Sequence, residues 1–439
     1  MIKIHNTKEF QEIIYFLNNK NYLKALEKTK MIARRYPNES VIIKLYAIIY
    51  FNLMEWNIAI NYYKKVLDFE HEKFKIYTNI GVAYFKLGKI HKSIEAFKNS
   101  IQNNPNYGLA HKNLGISYLE LGLFEKSTES FVSALKLNKN DYQTQAYLIN
   151  SFNFNKPKVN NLHPLIEIND KINKLIEKKS LNYKYKNKNI KILLEKSNYI
   201  INNFNDVLLL NETQIFRKNS ENLNCGRHFK VFNEFNIIPK YCFSCYKIQI
   251  NLETVVDLIK LFLIFDKVEL EKNNTRKCII ETRNKIEGNY KGYIYCRKQS
   301  EAESIKNIIL QIMKEEQIVA NKITLKHGCS EFYESYPKFE KININNNEEF
   351  KYNNTWEAFE KVIDSREPKR IESDKKIWSQ SVKGINLSDI LIINNWISYA
   401  QIIGDESYKK IYDRKLNNIF IEKLLEDQLE FRNQSLSLN

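Results

Sequence analysis

The residues Asn79-Ile80-Gly81…Tyr84…Gly88…Ser93…Phe97…Ser100…Pro105 are echoed by Asn113-Leu114-Gly115…Tyr118…Gly122…Ser127…Phe131…Ala134. The two stretches lie one period of about 34 positions apart, a length typical of a helix–turn–helix repeat. One period earlier stand Tyr46-Ala47…Tyr50…Trp56…Ala59…Tyr63…Val66, and before them a fainter copy, Tyr22…Ala25…Pro37. Ala47, Gly81 and Gly115 fall where one helix must approach its neighbour closely, and Gly88 and Gly122 where the chain turns between helices. Pro37 and Pro105 follow a second helix, which proline cannot continue. A single helix pair cannot bury its apolar face, whereas stacked pairs can, so the pattern predicts a short superhelix. Residues 142–154 read as one more first helix, capping the array.

This pattern resembles the tetratricopeptide repeat family over about residues 6–155. The resemblance implies a concave groove, lined by the first helix of each pair, that usually holds an extended peptide. Some members bond the peptide backbone through an Asn at the sixth repeat position. Asn79 and Asn113 occupy that position here, and Leu45 stands there in the earlier copy. Lys44, Lys86 and Lys112 add positive charge nearby. The Lys/Asn clamp that chaperone-binding members close on a terminal carboxylate is not reproduced, because Val82 and Ile116 stand where its Asn belongs.

The chain has 439 residues, too many for one ordinary domain, and two or three units are expected. Hydrophobic residues make up 43%, enough for packed cores. A net charge of +17 and a pI near 9.2 favour an acidic peptide, a nucleic acid or an anionic surface as partner. The competing reading is a Lys- and Asn-rich composition that merely inflates the pI. No apolar run reaches the ~20 residues of a membrane span. The start, Met1-Ile2-Lys3-Ile4-His5, lacks a signal-peptide core, so a cytoplasmic location is expected. Thiols there stay reduced, and cysteines read as ligands, nucleophiles or core residues.

The organisation expected is a repeat superhelix over residues 1–155, a basic helical linker over 156–204, a Cys-rich α+β domain over 205–340 and a helical extension over 341–439. Within the third part, strands at 245–250, 276–283, 290–297 and 322–327 alternate with helices at 253–265 and 300–315. That β-α-β-β-α-β order is the ferredoxin-like arrangement. Residues 206–210 also read as a strand, and an amphipathic helix is expected near 387–402, with Trp378 and Trp396 as buried anchors.

All six cysteines lie after residue 224. Cys225-x-x-His228 followed by Cys242-x-x-Cys245 gives two pairs of ligand types, each pair spaced to bite one ion, as in a closed tetrahedral zinc site. The β-α-β-β-α-β topology gathers Cys245, Cys278, Cys296 and Cys329 toward one end of the sheet, so the last three are possible additional thiols. Extra thiols leave room for an iron–sulfur cluster. The plain alternative is a set of core thiols holding no metal.

Lys291-Gly292-Tyr293-Ile294-Tyr295 on the third strand suggests a rival reading, in which Tyr293 and Tyr295 stack on RNA bases. His327-Gly328-Cys329 offers a thiol with an imidazole on the same face, if the strand continues that far. No phosphate-binding loop, dinucleotide fingerprint, zinc-protease or serine-hydrolase motif is present. The reading favoured is a non-enzymatic adaptor: the repeats hold a protein or peptide and the C-terminal domain holds a metal, zinc before iron–sulfur. RNA binding is the alternative.

Overall fold

A computed structural model describes residues 7–37, 39–157, 163–177, 186–204, 208, 210–219, 221, 223–282, 287–340, 350–366, 380–416 and 418–426. The chain divides into two compact units, residues 1–147 with 364–377, and residues 148–363 with 378–439.

The first unit is a row of helix pairs: α1 (Lys8–Asn18) with α2 (Tyr22–Arg35), α3 (Ser40–Asn52) with α4 (Trp56–Val66), α5 (Lys73–Lys86) with α6 (Ile90–Asn103), and α7 (Gly108–Glu120) with α8 (Phe124–Leu137). α9 (Tyr142–Ser151) follows. The turn inside each pair carries one residue of positive φ: Lys20 (56°), Met54 (62°), Gly88 (68°) and Gly122 (72°). These four positions share one spacing, so the faint first copy is a true repeat. Glycine adopts this left-handed cap without strain, and the earlier copies form it with ordinary residues.

Tight packing explains the small residues. A Cβ on Gly81 would lie 2.5 Å from the Phe97 ring, and one on Gly115 2.6 Å from the Phe131 ring. Successive pairs share cores, as where Ala47, Ala59, Tyr63 and Val66 meet Ile76 and Ile80. Buried hydroxyls are satisfied across the stack, Thr78 against Ser100 at 2.8 Å and Ser93 against Ser117 at 3.1 Å.

The second unit has a five-stranded antiparallel sheet: β1 (Gln214–Arg217), β2 (Tyr246–Leu252), β3 (Arg276–Ile280), β4 (Tyr290–Cys296) and β5 (Ala320–His327), in the order β1-β3-β4-β2-β5. β2 is an interior strand between β4 and β5, with Ile248 opposite both Ile294 and Leu325. α13 (Val255–Lys267) links β2 to β3, and α14 (Gln299–Glu315) links β4 to β5. α13 lies on the sheet face of Gly292, where a Cβ would stand 2.3 Å from Leu261. Before the sheet come α10 (Pro164–Glu177) and α11 (Asn187–Asn202), and α12 (Cys225–Phe235) lies between β1 and β2. Then follow α15 (Pro337–Glu340), α16 (Trp356–Arg366) and α17 (Leu387–Ile403).

Several expectations are corrected here. β1 was not foreseen; four residues are too few for alternation to register. The strand expected at 206–210 falls largely outside the described residues, as does Trp378. The segment expected as a linker supplies α10 and α11, which bury Ile172, Leu193 and Leu194. α17 is not amphipathic but buried on nearly every face from Leu387 to Ala400. Its polar groups find partners inside: Asn395 Nδ2 donates to Leu210 O and Glu212 O, Trp396 Nε1 to Thr213 O, and Tyr399 OH to Glu281 O. Near its start Arg217 bridges Asp266 (Nε–Oδ1 2.5 Å) and Asp389 (Nη2–Oδ2 2.9 Å), all three buried.

Candidate functional site

Two places carry the residues singled out in the sequence. Within the repeats, Asn79 and Asn113 sit half-buried on α5 and α7, the first helices of their pairs. Asn79 Nδ2 donates to Tyr63 OH at 3.2 Å. Lys44 is paired with Glu70, and Lys112 with Asp141 at 3.0 Å and Gln143 Oε1 at 3.2 Å. These two lysines hold neighbouring repeats together, while Lys86 is exposed at the end of α5.

The second place is a cavity at one end of the sheet, lined by Cys225, Cys242, Cys245 and Cys329, with His228 and Tyr241 in its wall. Its free space is about 10 Å³, room for roughly one water-sized sphere. Three chain segments converge on it. Asn224 takes a left-handed conformation (φ 47°), which starts α12 at Cys225 and puts His228 one turn along the same face. The 3-10 turn Lys240–Ser244 carries Cys242, and Cys245 N donates back to Cys242 O at 3.1 Å, bringing the two thiols of the pair to one side. After β5 the chain swings at Gly328 (φ 61°), whose N donates to Cys245 O at 2.7 Å, and delivers Cys329. A Cβ at Gly328 would lie 2.3 Å from the Phe339 ring, so glycine is required twice over.

Burial governs the chemistry of the thiols. It pushes Cys225 up, Cys245 up to about 11, and Cys242 well above the usual thiol range. Lys247, next in β2, donates from Nζ to Cys329 Sγ at 2.9 Å. Burial pulls its ammonium down, yet the Cys329, Tyr295 and Cys245 side chains hold it well above the ordinary lysine range. His228 stacks on Tyr241 with ring centroids 5.0 Å apart, and the Arg297 guanidinium lies 3.8 Å from the Tyr241 ring centroid. Among the described residues, no group of three or more His, Cys, Asp and Glu side chains stands in metal-ligating arrangement.

Cys245, Cys296 and Cys329 gather at this end of the sheet as expected, whereas Cys278 lies at mid-strand. Cys278 is opposite Gly292 and Ile215 within the sheet, and Cys296, opposite Tyr246, accepts from Asn274 Nδ2 at 3.9 Å; neither lines the cavity. The thiol–imidazole pair is also corrected. β5 stops at His327, whose Nδ1 and Nε2 lie 3.1 Å and 2.9 Å from the carbonyls of Phe339 and Phe243, so neither nitrogen is placed to take a proton from Cys329. Tyr293 and Tyr295 share the sheet face opposite α13, but Lys277 lies 5.0 Å from the Tyr293 ring centroid and Lys247 5.5 Å from that of Tyr295. Lys247 and Tyr241 are the residues sequence reasoning missed; nothing in the local pattern sets them apart from other strand and turn residues.

The family model for the tetratricopeptide repeat matches residues 74–107, and the repeats of this part of the chain are of that family's type. Solved structures similar to the chain include MamA residues 41-end from Desulfovibrio magneticus RS-1 (18% identity, 34% of this chain and 85% of that one, TM-score 0.32). They also include the first repeat domain of Spaghetti (RPAP3) bound to the HSP90 peptide SRMEEVD (22% identity, 26% and 89%, TM-score 0.25). The repeat domain of Arabidopsis OM64 is a third (16% identity, 26% and 93%, TM-score 0.25). No curated protein matches the chain. No helix among the described residues is long and apolar enough to cross a membrane.

Proposed function

We propose that this chain is a cytoplasmic adaptor whose repeat array holds a protein or peptide and whose C-terminal unit is a ferredoxin-like domain carrying zinc. The observation that carries the adaptor reading is the stack of four helix pairs with one repeated turn position. Such stacks expose the first helices along one continuous surface. Asn79 and Asn113 are the groove residues that would bond a partner's backbone, and Lys86 is the cation placed to meet acidic groups on it. Lys44 and Lys112 act less directly, by fixing the spacing of the first helices.

The strand order β3-β4-β2-β5, with α13 and α14 as crossovers, supports the ferredoxin-like assignment, with β1 added at one edge. The donor chemistry of four thiols lining one small cavity supports the metal assignment, with closure of the sulfurs on the ion still required.

A photo-crosslinking residue placed at Asn113 in cells tests the adaptor reading. The expected result is one dominant protein adduct, absent when the probe is moved to Lys136 on α8 and weakened by Asn79→Ala. Equal adducts from both positions, or none from Asn113, would refute it. Elemental analysis of anaerobically purified full-length protein separates the rivals: colourless with zinc supports the proposal, and brown with iron favours a cluster. Co-purifying RNA that is lost with Tyr293→Ala favours the nucleic-acid alternative.

A further inference from the structure

We infer that the metal is held by four thiolates, Cys225, Cys242, Cys245 and Cys329, with His228 outside the ligand set and Lys247 as the cation that supports their charge. This rests on the metal reading above and replaces the ligand set suggested by sequence spacing.

The first ground is placement. A helix start, a 3-10 turn and the segment after β5 each bring thiols to the same cavity, and the hydrogen bond from Gly328 N to Cys245 O ties the last of them to the second. The four sulfurs do not stand in ligating arrangement in this structure, so binding requires them to close on the ion. Four sulfurs complete a tetrahedral shell, leaving no position for an imidazole. Bound zinc would draw the sulfurs inward to about 2.3 Å from the ion. His228 stays a wall of the cavity, stacked on Tyr241.

The second ground is Lys247. Its ammonium is part-buried and donates to the sulfur of Cys329. A neutral thiol is a weak acceptor, whereas a thiolate makes a charge-assisted bond with an ammonium. Zinc with four thiolates carries a net charge of about −2. An ammonium at 2.9 Å from one sulfur offsets part of that charge, as outer cations and hydrogen-bond donors do around structural metals. Zinc binds thiolates, so each ligand must give up its proton to solvent on binding, and affinity falls as pH falls.

The test uses the full-length protein. X-ray absorption of the zinc-loaded chain should fit sulfur alone at about 2.3 Å, with no nitrogen at about 2.0–2.1 Å. His228→Gln should keep stoichiometric zinc and the same spectrum, and Cys329→Ser should lose it. Lys247→Met should keep the stoichiometry but lower zinc affinity about 10–100-fold in competition with a chelator, with Lys247→Arg recovering most of it. A three-sulfur, one-nitrogen shell that His228→Gln destroys would overturn this ligand set while leaving the metal reading intact. Protein with no bound metal, even after refolding with zinc, would overturn both. If Cys329→Ser does not fold, the wild-type spectrum alone decides.

Discussion

Replacing Arg217 with methionine should destabilise the C-terminal unit by about 3–5 kcal/mol, the usual cost of removing one partner from a buried ion pair. Arg217 is 6% exposed, and its partners Asp266 and Asp389 are 8% and 0% exposed. Its guanidinium also donates to Gly384 O at 3.0 Å and lies over the Phe262 ring at 4.7 Å. Methionine restores most of the apolar contact and none of the charge, so the loss is chiefly two buried carboxylates deprived of the guanidinium they share. The Asp389 carboxyl is already raised by burial, with Arg217 opposing the rise. Without Arg217 it rises further. The native state then binds its proton more tightly than the unfolded chain, so the variant's stability falls as pH climbs out of the ordinary aspartate range. The deficit is therefore largest at neutral pH and shrinks as pH is lowered toward about 4. Hydrogen exchange of the α17 amides reports this locally and does not require the two units to unfold together. Exchange should accelerate roughly 10²- to 4 × 10³-fold at pH 7, each 1.4 kcal/mol being tenfold. Adding Asp266→Asn and Asp389→Asn should recover much of the loss, because the uncompensated charges are gone. A change of less than about 1 kcal/mol at neutral pH, or a deficit that grows on acidification, would refute the charge argument.

Gly115→Ala should cost about 1–3 kcal/mol by overpacking against Phe131, seen as a lower helix melting temperature, and Phe131→Leu should partly rescue it. An unchanged melt would show that the helices have room to separate. Asp141 precedes α9 and accepts from Thr144 N at 3.1 Å, so Asp141→Ala should cost about 0.5–2 kcal/mol as a lost cap. Burial works against its charge, yet the Thr144 hydrogen bonds and Lys112 hold its carboxyl below the usual range. Its contribution is thus present at neutral pH and lost as pH falls through that lowered value, which acid titration of Asp141→Asn against wild type measures.

The repeat array was legible because its signal is redundant: apolar period, close-approach residue and turn position recur together. The first copy was faint because Lys20 stands at the turn position of Gly88 and Gly122, Ile13 at the close-approach position of Gly81 and Gly115, and Thr29 at the ring position of Phe97 and Phe131. The alternation of β2 to β5 was legible too, since each strand is long enough to show a period of two. α17 was misread because burial on all faces erases the helical stripe, and its asparagines look like a solvent face until their carbonyl partners are known. At the cavity, the Cys-x-x-Cys spacing could be read locally. The membership of Cys329 depends on strand order and on the swing at Gly328, and the role of Lys247 on a contact between β2 and the chain after β5, neither of which local spacing encodes.

The central position of α17 has a consequence for how the chain is made. Helix pairs joined by short turns close contacts that are near in sequence and form quickly, whereas the sheet unit waits for a helix made after all five of its strands. Asn386, at its start, donates to Phe152 O, and Asn394 and Asn198 exchange hydrogen bonds, so residues made early gain these partners only when residues made late arrive. A nascent chain halted before residue 387 would carry a finished repeat array and a sheet unit whose α13 and β1 still lack the helix that packs on them.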